Sequence, residues 1–267
     1  MSTLQAPTML AAPISEAGSR HTIPVIDRMM DLLAVLEERP GASITVLTAA
    51  LGLPRTTVYR IVNTLQVHAM VRRDGGGGYW LGRRLVSLAA QAVDEGDAAI
   101  ADVAQPFLDK VASDLGNSVK LSVLDAEGVL VVAVAQGKRD YALTVTVGQR
   151  MPIHAGAAGK LLFAHAPREQ QELWLSRPLN VFTSRTITEP KRLLAEASRI
   201  RRVGWAQDRG ESAPSIFAFA APVWDRGGKV AAALSLPFIL GTEAGRVEAL
   251  KTATIDTAWQ ISAALQA

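Results

Sequence analysis

Residues 43–84 read SITVLTAALGLPRTTVYRIVNTLQVHAMVRRDGGGGYWLGRR, and this stretch decides the fold of the N-terminal part of the chain. Ser43 is a residue type that caps helices, and apolar residues then recur at helical spacing until Gly52 breaks the helix. Pro54 stands where a second helix would begin, at a position whose missing N–H is not needed. Four glycines beyond this helix separate two short runs of strand-forming residues, which predicts a β-hairpin. Two helices followed by such a hairpin are the pattern of a winged helix-turn-helix.

The second helix of this stretch has one apolar and one polar side. Val58, Ile61, Val62 and Leu65 form the apolar stripe. The opposite side has the chemistry that reads DNA, since arginine bonds guanine edges, asparagine bonds adenine edges and hydroxyls reach phosphates. We therefore predict a DNA contact surface that consists of Arg55, Thr56, Thr57, Tyr59, Arg60 and Asn63 of this helix with Arg72 and Arg73 of the hairpin.

The charge of this stretch also favours a nucleic-acid partner. Residues 55–84 contain six arginines and a single acid, Asp74. A local excess of positive charge is expected of a protein that contacts phosphates. The alternative is an ordinary solvated helix face, because any surface helix carries polar residues. The glycine run is assigned no phosphate-binding role, since it does not end in Lys-Ser/Thr and does not open a helix.

Composition limits the remaining possibilities. The chain has 267 residues, enough for two domains, with 49% hydrophobic and 20% charged residues, as in soluble globular proteins. It has no cysteine, which excludes disulfides, thiolate metal sites and a cysteine nucleophile. Its four histidines lack metal-ligand spacing, so no metal and no cofactor are predicted. The net charge of +3 is mild, so where the positive charge lies matters more than its total.

The first residues and the apolar runs bear on where the protein works. Residues 1–20 are rich in Ala, Ser, Pro and Thr without a basic segment before an apolar run, which predicts a mobile tail rather than a signal peptide. No uncharged apolar stretch approaches the roughly 18 residues that a membrane span requires. We therefore expect a cytoplasmic protein without a membrane partner.

The pattern of helices divides the chain. We predict a winged helix-turn-helix domain over residues 21–82, a linker helix over residues 83–97 and a second domain over residues 98–267. The first domain would begin with a helix that ends near residue 40 and whose apolar stripe is Ile26, Met29, Met30, Leu33 and Leu36. A helical linker can transmit a rotation between domains that a flexible tether would absorb.

The second domain is interpreted as α+β. Two pairs of apolar runs each flank an Asp-x-x-Gly turn, which is the pattern of β-hairpins. Hairpins with helices grouped between them favour an antiparallel sheet with helices packed on it. The predicted strands are 119–124, 129–135, 142–147, 217–224 and 229–236, and the predicted helices are 155–165, 167–176, 190–202 and a closing helix through Val247 and Leu265.

Four further stretches, taken together, point to a family. They are MPIHAGAAGKLL at residues 151–162, TIT at 186–188, VGWAQD at 203–208, and AAPVWD at 220–225 followed by the run at 231–235. In their order and spacing they resemble the IclR-type transcriptional regulators, and the resemblance covers nearly the whole chain from about residue 22. It implies an N-terminal winged helix-turn-helix, a linker helix and a C-terminal effector domain of the GAF/profilin-like type.

The resemblance also implies that the second domain binds a small metabolite of the regulated, and commonly catabolic, pathway. Backbone N–H groups at a helix start suit a carboxylate or phenolate, and a serine adds a hydroxyl donor. By position, the implied effector contacts are the amides near Ala157 and Ala158 together with Asp208, Ile216, Ala218 and Ser235.

Two departures from the family pattern lie beside these positions. Ala218 stands where many members carry cysteine, and Ser215 replaces a family glycine, so the polar contacts differ. Trp205, Phe217 and Phe219 make this region apolar, which favours an aromatic or longer-chain acid as effector. The alternative is that alternating aromatics on a strand belong to an ordinary core.

Other functions and partners follow from the same residues. A stand-alone enzyme or sensor with dimerising N-terminal helices remains an alternative, as does a DNA-binding repressor without a ligand. No placed nucleophile with an orienting partner is recognised, so the protein is predicted not to be an enzyme. His154 is interpreted as a capping or supporting residue, and Lys160 as a solvated or interface side chain. The predicted partners are double-stranded operator DNA, a small-molecule effector, and further copies of the chain in a homodimer or dimer of dimers on an inverted repeat.

Overall fold

The computed structural model describes residues 23–92, 95–125, 128–138 and 146–267. The chain divides between residues 94 and 95 into two compact units, and each is described separately. The tail predicted for residues 1–20 and most of the strand predicted at residues 142–147 lie outside the described ranges. No helix within those ranges is long and apolar enough to cross a membrane.

The N-terminal unit has the order of elements that the sequence predicts. Its elements are α1 (Pro24–Glu38), α2 (Ile44–Leu51), α3 (Arg55–Val67), β1 (Val71–Arg73), β2 (Tyr79–Leu81) and α4 (Arg83–Ala92). Ser43 caps α2 by accepting a hydrogen bond from the Val46 N–H, and Gly52 ends α2 in the left-handed conformation at φ 62°. Strands β1 and β2 pair antiparallel. The winged helix-turn-helix is confirmed.

The core of this unit forms where the apolar sides of its helices meet. The stripe predicted on α3 is confirmed, since Val58, Ile61, Val62 and Leu65 are all buried. Burying this side leaves the polar side of α3 toward solvent. The stripe packs in one cluster with Leu32, Leu36, Ala42, Ile44, Leu47, Val71 and Tyr79.

The stripe predicted on α1 is wrong at two positions. Ile26 and Met30 are exposed by 48% and 55%, whereas Leu32 and Leu36 are fully buried. Met30 lies two residues before Leu32, a rotation of about 200° around the helix axis, and therefore faces away from the core. Apolar residues occur on several sides of α1, so the sequence pattern alone did not select the buried side.

The C-terminal unit is built on an antiparallel sheet. Its elements are α5 (Glu95–Leu115), β3 (Val119–Asp125), β4 (Gly128–Ala135), β5 (Arg150–Met151), α6 (Ala157–His165), α7 (Arg168–Leu175), α8 (Pro190–Val203), β6 (Ala206–Arg209), β7 (Ile216–Trp224), β8 (Val230–Ile239) and α9 (Ala244–Gln266). The strand order is β5-β4-β3-β8-β7-β6. The predicted hairpins are confirmed as β3-β4 and β7-β8, whereas no pattern predicted the short edge strands β5 and β6.

The two faces of this sheet carry different cores. One face packs against α5 and α9, with Leu121, Phe219 and Phe238 among its buried residues. The other face packs against α6, and we call it the α6 face. Its core is made of small side chains of the sheet and apolar side chains of the helix, which include Ala218, Ala220, Ala233, Ala157, Ala158 and Leu161.

Candidate functional sites

The polar side of α3 is the first candidate surface. Arg55, Thr56, Arg60 and Asn63 are exposed, as expected of residues that contact DNA. Thr57 and Tyr59 are half-buried, and Tyr59 packs against the core while the Arg55 guanidinium lies 5.6 Å from the centre of its ring. Because the core holds this ring, Tyr59 supports the position of Arg55 as well as offering its own hydroxyl.

The β1-β2 hairpin is the wing, and the side chains of its two arginines, Arg72 and Arg73, lie on opposite faces of it. In the hairpin, Arg72 is opposite Trp80 and Arg73 is opposite Tyr79. The guanidinium of Arg72 lies 5.0 Å from the Trp80 ring centre, and that of Arg73 lies 5.5 Å from the Tyr79 ring centre. Since successive strand residues project from opposite sides of a ribbon, the two arginines present charge on the two faces of the wing.

The wing tip is ordered by an acid that sequence reasoning had noted only for its charge. Asp74 Oδ1 accepts hydrogen bonds from the N–H groups of Gly76 at 3.0 Å and Gly78 at 2.8 Å. Its Oδ2 accepts the indole N–H of Trp80 at 2.7 Å. The Trp80 hydrogen bond is the main cause that lowers the pKa of the Asp74 carboxyl, followed by the bond from Gly78. An Asp that begins a glycine-rich turn was the signal for this arrangement.

The N-terminus of α6 is the second candidate site. Gly156 precedes the helix at φ 86° and provides no side-chain cap. The N–H groups of Ala157 and Ala158 belong to the first helical turn and have no acceptor within the helix. Both residues are buried, and so is nearly the whole of α6. These donors therefore lie inside the C-terminal unit, where an anion or a carbonyl would satisfy them.

Asp208 lies beside this helix start. On the edge strand β6 it is directly opposite Ala218 of β7, which places both on the α6 face. Its Oδ2 is 3.8 Å from the point that a Cβ on Gly156 would occupy. Asp208 is 2% exposed and already accepts hydrogen bonds from the Glu211 N–H at 2.7 Å and the Ser212 hydroxyl at 2.9 Å. Because its oxygens accept these hydrogen bonds, a ligand would meet Asp208 with a donor group.

The remaining implied contacts also fall on the α6 face. Ser235 of β8 is opposite Ala220 and lies two residues from Ala233, both of which pack toward α6. Ile216 lies two residues before Ala218, on the same side of β7, and is half-buried. The hydroxyl oxygen of Ser235 is buried without a hydrogen-bond partner. A buried hydroxyl in this condition is available to a ligand.

Sequence reasoning missed two polar residues on the neighbouring strand β3. Lys120 is directly opposite Ser235, and Ser122 is directly opposite Ala233, so both lie on the α6 face. Lys120 is 9% exposed and Ser122 is fully buried. Burial lowers the pKa of the Lys120 ammonium to about 8, against a smaller rise caused by the negative charge of Asp208. The alternation of Ser118, Lys120 and Ser122 with Val119 and Leu121 was the available signal.

The aromatic residues near the implied contacts do not line this site. Phe217 and Phe219 project from the face of β7 opposite to Ala218 and pack with Phe238 in the core beneath α5 and α9. Trp205 packs edge-on against Phe219. These three residues belong to an ordinary core, because strand alternation sends their rings to the other face, so they give no support to an aromatic effector.

Lys160 and His154 have structural partners rather than solvent or a ligand. The Lys160 ammonium lies 2.5 Å from Glu211 Oε1 and 2.7 Å from the Gln207 carbonyl, and its side chain is 2% exposed. The interpretation of Lys160 as a solvated or interface side chain is thus wrong. His154 Nε2 is 2.8 Å from the Asn180 carbonyl, and its ring stacks on Phe182. Both residues hold the segments around α6 in place.

Two family descriptions match this chain. A winged helix-turn-helix followed in the chain by a domain with an antiparallel sheet is an architecture typical of transcriptional regulators. The description "IclR helix-turn-helix domain" matches residues 25–75, and "Bacterial transcriptional regulator IclR C-terminal" matches residues 92–263. The chain therefore belongs to the IclR family of transcriptional regulators.

Individual relatives agree with this assignment. The transcriptional regulator KipR of Bacillus subtilis is 28% identical over 240 residues, which cover 88% of this chain and 94% of that protein. TtgV of Pseudomonas putida, also named a transcriptional regulator, is 32% identical over 205 residues, which cover 76% and 77%. A solved IclR homologue from Microbacterium hydrocarbonoxydans, complexed with 4-hydroxybenzoate, matches with a TM-score of 0.72 at 25% identity and covers 91% of this chain and 99% of that one. These relatives are named as regulators and not as enzymes.

Proposed function

We propose that this regulator binds an inverted-repeat operator as a homo-oligomer and that a small acidic metabolite of a catabolic pathway changes its affinity for DNA. The proposed domains are those of the sequence analysis, with residues 21–82 binding DNA and residues 98–267 binding the effector. The observation that carries the DNA half is the exposed basic side of α3, whose other side is fixed in the core by Val58, Ile61 and Leu65. A helix held in this way can enter a major groove without rearranging.

The polar groups on the α6 face support the effector half of the proposal. Helix-start amides at Ala157 and Ala158, the hydroxyl of Ser235 and the carboxylate of Asp208 offer donors and an acceptor on the α6 face. A molecule that satisfies them would carry both an acidic group and a donor such as a hydroxyl. The related protein complexed with 4-hydroxybenzoate binds a molecule of that kind.

The test uses the full chain and DNA from upstream of its own gene and of the neighbouring operon. Fluorescence anisotropy is expected to show saturable binding to a segment with two half-sites about 10 base pairs, or a multiple of it, apart. A panel of small acids, 4-hydroxybenzoate included, is then titrated into the complex. A ligand-independent repressor would bind the DNA but respond to none of them, and a stand-alone enzyme or sensor would not bind it specifically.

The two arginines of the wing and the two at the start of α4 are expected to contact the DNA backbone. Replacing Arg72, Arg73, Arg83 or Arg84 by alanine should reduce the slope of log affinity against log salt by about 1 for each residue that contacts a phosphate. The slope is measured by anisotropy between low and physiological salt. Arg168→Ala, at an exposed arginine of α7 paired with Glu172, is the control and should leave the slope unchanged. Unchanged slopes in all four variants would mean that these arginines serve solubility only.

The effector contacts are tested by Ser235→Ala and Asp208→Asn. Loss of one neutral hydrogen bond should weaken effector binding by roughly fivefold, and loss of an acceptor charge by roughly tenfold or more. Calorimetry with a stabilising acid from the panel measures the dissociation constants. Ser212→Ala is the control for Asp208, because it removes one internal partner of that carboxylate and leaves the carboxylate itself. Wild-type dissociation constants in both variants would place the effector elsewhere.

A further inference from the structure

Lys120 is a buried cation inside the C-terminal unit without a counter-ion in contact. It lies in the middle of β3, on the α6 face, and is 9% exposed. Across the described residues, its ammonium makes neither a hydrogen bond nor an ion pair. Lys160 of α6, a still more buried lysine, has Glu211, Glu196 and the Gln207 carbonyl around its ammonium. The contrast matters because buried ammonium groups are normally paired.

Two hydroxyl groups on the same face also lack a hydrogen-bond partner. Ser235 is the direct cross-strand neighbour of Lys120, and Ser122 follows Lys120 by two residues on the same side of β3. Their Oγ atoms are both buried without partners. Three polar groups that can donate hydrogen bonds therefore lie together on one face, next to the small side chains of Ala220 and Ala233.

The charge of Asp208 indicates which kind of ligand Lys120, Ser122 and Ser235 can accept. Asp208 is near enough for its charge to raise the pKa of Lys120, yet its oxygens bond Glu211 and Ser212 instead. Without Lys120, an acidic ligand would join Asp208 as a second buried negative charge, which is unfavourable. The ammonium of Lys120 supplies a positive charge on the same face, which favours an acidic ligand there. A helix N-terminus supplies only about half a unit charge and would not offset Asp208 alone.

We propose that Lys120, with Ser122 and Ser235, binds the carboxylate of the effector, and that Asp208 accepts a hydrogen bond from a hydroxyl or amino group of the same molecule. The effector class is thus a small hydroxy or amino acid rather than a neutral or purely apolar compound. This inference rests on the proposed effector site on the α6 face and names the residue that selects for acids there. Lys120 is a specificity-determining residue that touches the ligand.

The test compares matched acids and amides on the full chain. The probes are 4-hydroxybenzoate with 4-hydroxybenzamide, glycolate with glycolamide, and lactate with lactamide. Each is used at up to about 10 mM, because dissociation constants in the millimolar range are then still detected. Thermal shift identifies binding, and calorimetry gives dissociation constants. The wild type is expected to bind at least one acid about tenfold or more tightly than its amide, as a charge-assisted hydrogen bond implies.

Three variants complete the experiment. Lys120→Gln keeps a hydrogen-bond donor without the charge and should lose the preference for the acid, while Lys120→Arg keeps the charge and should retain it. Lys110→Gln removes an exposed lysine of α5 and should match the wild type. An acid preference that persists in Lys120→Gln would overturn the inference, and so would the absence of acid binding in the wild type. If acids bind through Lys120 but leave operator affinity unchanged, the inference stands and the proposed regulation fails.

Discussion

Replacing both Arg55 and Arg60 by alanine is expected to weaken specific operator binding strongly at physiological salt. Both side chains are exposed on α3, whose opposite side is fixed in the core. Each arginine that reads a base contributes about 1 to 3 kcal/mol of discrimination, so the pair should weaken binding by about 30-fold or more. Thr56→Ala should have a smaller effect of the same kind if the hydroxyl reaches a base.

Anisotropy with operator and scrambled duplexes separates the two ways in which these arginines can act. A loss confined to the operator indicates contacts with bases, and an equal loss on both duplexes indicates contacts with phosphates. Arg226→Ala, at an exposed residue in the β7-β8 turn of the other unit, is the matched charge control. Wild-type operator affinity in the Arg55/Arg60 double variant would contradict the assignment of α3 as the recognition helix.

Lys120→Met is expected to make the protein more stable near neutral pH. Burial lowers the pKa of Lys120 from 10.5 to about 8, so the folded state holds a charged ammonium at a cost when the pH is below 8. A shift of this size corresponds to about 3 kcal/mol, because one pKa unit is worth about 1.4 kcal/mol. Methionine has a similar length and no charge, and should recover most of that free energy. Denaturant unfolding at pH 7 measures the difference.

The pH dependence of the free energy of unfolding gives a second test of this prediction. Between about pH 8 and 10.5 the unfolded chain binds more protons at Lys120 than the folded chain does, so the stability of the wild type rises with pH in that window. The advantage of Lys120→Met should therefore be greatest near pH 7 and shrink as the pH approaches 10.5. The control is Lys110→Met, at an exposed lysine, which should show no such trend. A Lys120→Met variant that is less stable than the wild type at pH 7 would show that Lys120 is a structural residue.

Most of the fold could be predicted because its local signals are strong. The cap at Ser43, the stop at Gly52 and the apolar stripe of α3 each depend on residues a few positions apart, and all three are present in the structure. The failure at Ile26 and Met30 has the opposite cause, since the buried side of α1 is chosen by what packs against it. Strand β6 was missed because it has four residues, two of them charged, and follows a glycine-ended helix.

The candidate site was less accessible to sequence reasoning. Alternation predicts that Lys120 and Ser122 share a side of β3, but on an antiparallel strand a polar side normally faces solvent. That side is buried because helix α6, which follows β3 later in the chain, packs on it. The same alternation, applied to Phe217 and Phe219, would have separated them from Ala218. Contacts between distant segments decide which of the two sides holds the candidate site.

The hydrogen bonds of Asp74 have a consequence for the thermodynamics of recognition. A glycine-rich hairpin tip that is flexible in the free protein must become ordered when it binds a duplex. Each residue that becomes ordered costs about 1 kcal/mol or more of free energy through lost conformational entropy. Here Asp74 already holds Gly76, Gly78 and Trp80 before any DNA is present. The wing therefore arrives preorganised, and its encounter with DNA is closer to rigid docking than to coupled folding and binding.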